Sequence, residues 1–80
     1  MKEYIATFHT HLSALLTFQA LQGQGVTARM MPVPRKLSSS CGTCVRYGAK
    51  EPHLAAMDAD VEAVYETGAD GEYKRLLQND

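Results

Sequence analysis

Cysteine is scarce in this 80-residue chain, and its two copies, Cys41 and Cys44, are too few for the disulfide framework of a small secreted domain. Basic clusters are missing as well. Eight Lys and Arg stand against nine Asp and Glu for a net charge of -1, which argues against nucleic acid or an anionic membrane as the main partner. No apolar run approaches the ~20 residues of a membrane-spanning helix, and the opening residues Met1 to His11 lack the basic-then-apolar order of a secretion signal. The expected location is therefore cytoplasmic, with no membrane contact. No internal repeat or low-complexity linker divides the chain, so residues 1–80 are expected to form one small domain around one core, 45% of the residues being hydrophobic. A chain of this size buries only about 60–65% of its unfolded surface, so a second copy would add useful stability.

What is present is a strand, helix, strand opening. Tyr4 to Phe8 is β-prone, Thr10 is a good N-cap for a helix over Leu12 to Leu21, and Gly23-Gln24-Gly25 can end that helix. Val26 to Met31 then reads as a second strand that Pro32 and Pro34 terminate, and Thr43 to Tyr47 as a third, ended by Gly48. The C-terminal part admits two readings. The favoured one has a short helix from Pro52 to Met57 and two strands joined at the Asp70-Gly71 turn; the other has one helix from Pro52 to Thr67 and a single strand. Either gives an α+β two-layer sandwich, ferredoxin-like, with helices on one face of a mostly antiparallel sheet. Within the first helix, Ala14, Leu15, Phe18 and Leu21 share one face while Leu12 and Leu16 fall on the other, which points to a homo-oligomer or to a pair of exposed leucines.

The chemistry concentrates in Pro32-Val33-Pro34-Arg35-Lys36-Leu37-Ser38-Ser39-Ser40-Cys41-Gly42-Thr43-Cys44. A thiol acts as nucleophile or metal ligand through its thiolate, so what surrounds it matters. Arg35 and Lys36 supply positive charge, the hydroxyls of Ser38, Ser39 and Ser40 can donate hydrogen bonds, and Gly42 lets the backbone bend N–H groups toward sulfur. If strands 1 and 2 run parallel with strand 3 between them, Cys41 comes near the start of the first helix, where His9 and His11 also lie. One C-x-x-C leaves three readings open: a working thiol, a metal ligand, or an inert pair. A structural zinc needs four protein ligands and a second C-x-x-C is absent, so no metal and no cofactor are expected. A thioredoxin-like oxidoreductase would start a helix at its motif, whereas Cys44 leads into β-prone Val45-Arg46-Tyr47. Asp58, Asp60, Glu62 and Glu66 read as a solvated acidic face, Met30 and Met31 as core filling, and Arg46 as a solvated strand residue.

Tyr4 to His11, Ala14-Leu15, the run from Pro32 to Gly42 and Val45-Arg46-Tyr47 resemble the selenium/sulfur carrier protein-like family, over about the first 50 residues. The specific part is P-x-P-R followed by S-S-S-C-G. The resemblance implies a small carrier, rather than an enzyme, that holds sulfur or selenium on Cys41 as a persulfide or perselenide. Its partners would be chalcogen donor and acceptor proteins. On that reading Arg35, Ser39, Ser40, Gly42 and His9 stabilise the Cys41 anion, and Cys44 releases the cargo by forming a disulfide. The alternatives are a metal-binding or oligomeric scaffold using Cys41 and Cys44, and a thiol-disulfide redox protein.

Overall fold

The computed structural model describes residues 1–79. β1 (Lys2–Phe8) leads into α1 (His11–Gly23), β2 (Thr27–Pro32), β3 (Thr43–Ala49), a 3-10 turn (Leu54–Ala56), β4 (Val61–Thr67) and β5 (Tyr73–Gln78). The strands form one antiparallel sheet in the order β2-β3-β1-β4-β5. β1 and β2 thus run parallel with β3 between them, as the opening elements imply. The Asp70-Gly71 turn joins β4 to β5, and Gly71 takes the positive φ of 81° that this bend requires.

Local chemistry explains the helix. Thr10 is its N-cap, with Oγ1 accepting from the Ser13 N–H at 3.1 Å. Beyond its last turn Gly25 adopts φ 79°, and the Val26 N–H donates back to the Leu21 carbonyl at 3.0 Å. Ala14, Leu21 and Phe18 pack on Tyr4, Ala6, Phe8, Val45, Tyr47 and Val64, the alternate residues of the three central strands. Tyr4 and Tyr47, directly opposite in the register, stack with ring centroids 5.3 Å apart. Leu12 and Leu16, 61% and 44% exposed, lie on the side of the helix turned away from the sheet, as their spacing predicts.

The two-layer α+β class stands, but with one α-helix among the described residues rather than several. A ferredoxin-like sandwich needs a second helix between β3 and β4, and here that connection holds only the turn Leu54–Ala56 instead of a helix over Pro52 to Met57. The residues that would extend it are used otherwise. Asp58 is drawn to α1, its carboxylate accepting from the Ser13 hydroxyl at 2.7 Å and its N–H donating to Thr17 Oγ1 at 2.9 Å. These bonds satisfy two hydroxyl side chains, Ser13 and Thr17, that α1 otherwise buries. The single long helix through Thr67 is excluded by β4.

The sheet's second face has a different cover. On it the register aligns Arg29, Arg46, Ile5, Tyr65 and Arg75 in one row and Met31, Cys44, Thr7 and Ala63 in the next. Ile5, Thr7, Cys44 and Ala63 are fully buried there although no helix lies above them. The β2–β3 connection, residues 33–42, leaves the sheet at the Phe8 end of β1. Its Lys36 nevertheless lies 3.5 Å from Glu72, in the β4–β5 turn at the Glu3 end. With α1 occupying the other face, this strap must run along the second one.

Replacing Leu21 by Ala should cost about 2–5 kcal/mol in urea unfolding, whereas Leu16→Ala should stay within about 0.5 kcal/mol. The carboxyls of Asp58 and Glu3 hold their protons less tightly than usual, through the Ser13 hydroxyl and the Arg46 guanidinium respectively. Their contribution to stability is complete above the ordinary carboxylate range, about pH 4, and is lost as the pH falls through the lowered native values. The urea midpoint should therefore drop on acidification below that range, and Ser13→Ala should flatten the drop; an unchanged slope would contradict the Asp58 assignment.

Candidate functional site

The strap returns to the sheet through three consecutive residues. The Ser39 hydroxyl donates to the Phe8 carbonyl at 2.8 Å, and Ser40 donates to the Glu62 carboxylate through both its N–H (3.3 Å) and its hydroxyl (3.2 Å). Cys41 follows, partly buried and packed against the edge of the core. Gly42 then turns the chain with φ 74°, a conformation disfavoured for residues bearing a Cβ, and the Val33 N–H closes the strap's neck on the Gly42 carbonyl at 3.1 Å. The Cys41 thiol donates to the Thr43 carbonyl at 3.5 Å and lies 3.9 Å from Ser39 Oγ.

The corner also contains the start of α1. His11 Nδ1 is 3.4 Å from Thr43 Oγ1, and His9 Nδ1 is 3.8 Å from the Glu62 carboxylate, with its Nε2 3.4 Å from the Asn79 carbonyl. His11 thus reaches Thr43, two residues past Cys41, and His9 shares Glu62 with Ser40, while the sulfur's own hydrogen-bond partners among the described residues are Ser39 and Thr43. The roles within the predicted set differ. Only Ser39 approaches the sulfur, and its proton is engaged by the Phe8 carbonyl. Ser40 and His9 turn to Glu62 instead, Gly42 supplies the bend, and Arg35 is exposed on the strap with no hydrogen bond or ion pair among the described residues. Among the described residues no group of three or more His, Cys, Asp or Glu side chains is arranged to hold a metal ion.

Cys44 occupies a separate environment. Past the Gly42 bend and on β3, it points to the second face of the sheet, is 0% exposed and donates to the Pro32 carbonyl at 3.7 Å. Burial pushes its thiol up to about 11, so it stays protonated at neutral pH. Both cysteines are free.

Sequence reasoning missed Glu62, which it placed on a solvated face. The residue sits where the β1–β4 register shifts, between the pairs Thr7–Ala63 and Phe8–Val61. That bulge frees its carboxylate to reach Ser40 and His9. Nothing local in Asp60-Val61-Glu62 signals this, because the partners lie 22 and 53 residues away. Arg46 is likewise more than a solvated strand residue: its Nε and Nη2 donate to the two Glu3 oxygens at 3.0 and 2.9 Å, a paired fork on the second face.

A family model described as Putative Se/S carrier protein-like matches residues 3–66, a span that includes Cys41, Ser39, Ser40, His9, His11 and Glu62. Among curated proteins, Uncharacterized protein YtiA of Escherichia coli (strain K12) is 40% identical over 45 residues, covering 56% of this chain and 53% of its own length. The chain spans about half the length of that curated relative. No solved structure matches it.

The contrast between the thiols is testable by alkylation. With a folded-state value of about 11, roughly one Cys44 side chain in ten thousand is thiolate at neutral pH. Iodoacetamide on the native protein should modify Cys41 alone, and denaturant should release the second site; peptide mapping distinguishes them. Equal native rates would contradict the burial of Cys44.

Proposed function

Because this chain belongs to the Putative Se/S carrier protein-like family, we propose that it carries sulfane sulfur or selenium on Cys41 between a donor and an acceptor protein. The observation that carries this reading is accessibility: Cys41 alone of the two thiols reaches solvent, at the end of a strap pinned by its own neighbours. A carrier thiol must meet the sulfur of another protein, and a buried one cannot.

The exchange balances without an added oxidant. The Cys41 thiolate attacks the terminal atom of a donor persulfide or perselenide, the donor's S–S or S–Se bond breaks, and the donor leaves as a thiolate that takes up the proton Cys41 released. Cys41 then bears a persulfide, or a perselenide when the terminal atom is selenium. In the second half an acceptor's nucleophile removes that atom and Cys41 is regenerated. Ser39 and Thr43 line the sulfur. Ser40 and Glu62 fix the backbone on one side of it, and Gly42 fixes the other, so the thiol is presented on a short and restrained arch. Cys44 takes no part in loading, and its burial argues against a disulfide release step.

Incubation with a cysteine desulfurase and cysteine, followed by intact-mass measurement, tests the proposal. The wild-type chain should gain one reductant-sensitive sulfur, Cys41→Ser should gain none, and Cys44→Ala should load as wild type. Absence of the gain in a folded wild-type protein, or equal loss in both variants, would overturn it.

A further inference from the structure

The second face of the sheet collects positive charge that the linear sequence disperses. Arg29 and Arg46 are cross-strand neighbours, Arg75 lies in the same row, and the strap running over this face adds Arg35 and Lys36. Lys2 alternates to the other face, where it pairs with Glu66. Five of the eight basic residues of a chain with net charge -1 thus share one side. Their neutralisation is incomplete. Glu3 engages Arg46 at 2.9 Å and Glu72 engages Lys36 at 3.5 Å. Among the described residues, Arg29, Arg35 and Arg75 have no carboxylate within ion-pair distance, and Arg75 donates to the neutral Gln78 Oε1 at 3.0 Å. Gly48 contributes no side chain beside Arg29 and Arg46, leaving a notch of about 370 Å³ that Glu3 and Thr27 also border.

Resting on the carrier reading, we infer that this face is the docking surface for the protein that exchanges its chalcogen with Cys41, and that the partner presents Asp and Glu carboxylates to it. Unpaired guanidiniums spread around a shallow notch fit separate carboxylates on a folded surface, each able to accept two N–H donors. A nucleic acid fits less well: Glu3 and Glu72 interrupt the patch and the rest of the chain repels phosphate. The strap links surface to chemistry, since Arg35 stands on the same ten-residue connection as Cys41. Charge complementarity of this kind raises encounter rates and weakens with salt.

Two loading reactions separate docking from chemistry. Inorganic polysulfide delivers sulfane sulfur without a protein surface, whereas a cysteine desulfurase with cysteine needs an encounter. In the full chain, Arg29→Glu combined with Arg75→Glu should slow loading by the desulfurase about tenfold. Raising NaCl from low to physiological strength should slow it similarly, while loading from polysulfide should be unchanged and circular dichroism should confirm folding. Equal desulfurase loading of wild type and double variant, or no salt dependence, would overturn the docking surface while leaving the carrier reading intact. Failure of the wild type to load from both sources would overturn both. Binding of a poly-U oligonucleotide at physiological salt, abolished in the double variant, would reassign the face to nucleic acid and overturn the proposal.

Discussion

The cysteine corner depends on how residues 33–42 are tied down where they rejoin the sheet. A ten-residue connection between adjacent antiparallel strands has ample freedom, and ordering it costs about 1–2 kcal/mol per residue in backbone entropy. Here Ser39 binds the last carbonyl of β1, Ser40 binds the Glu62 carboxylate twice, and Val33 binds Gly42 across the neck. Those bonds set the path of the chain on both sides of Cys41. Without them the thiol would be a side chain on a loose loop, and the buried patch of Ile5, Thr7, Cys44 and Ala63 would lose its cover.

The same tie explains why two cysteines three residues apart behave so differently. The bend at Gly42 lies between them. Before it the chain follows the strap, and Cys41 stays at the core's edge within reach of Ser39 and Thr43. After it the chain is β3, whose alternation sends Cys44 to the second face under the strap. The spacing looks like a redox pair, while the geometry divides the two residues into an accessible thiol and a packed one.

Much of the frame was legible in the sequence because local rules decide it. Thr10 caps α1, the prolines stop β2, and Asp70-Gly71 makes the final hairpin, each within a few residues of its effect. The parallel relation of β1 and β2 followed from the strand, helix, strand order, and it put the end of the strap at the same end of the sheet as the start of α1. What escaped notice is long-range. Asp58 reads as part of a solvated acidic face by sequence and is a partner of two helix hydroxyls by structure, and this use of residues 57–60 removes the second helix. Glu62 depends on a register shift between β1 and β4. The cationic face depends on registers that bring Arg29, Arg46 and Arg75 into one row although 17 and 29 residues separate them along the chain. Composition alone reported a nearly neutral chain and could not show that its charges are sorted by side.

The direct test of this account is to locate the carried atom. After native loading from a persulfide donor, alkylation and proteolysis, tandem mass spectrometry should find the added sulfur or selenium on Cys41 and an unmodified Cys44. An added atom on Cys44, or a Cys41–Cys44 disulfide as the main product, would contradict the division between accessible and packed thiol on which the account rests.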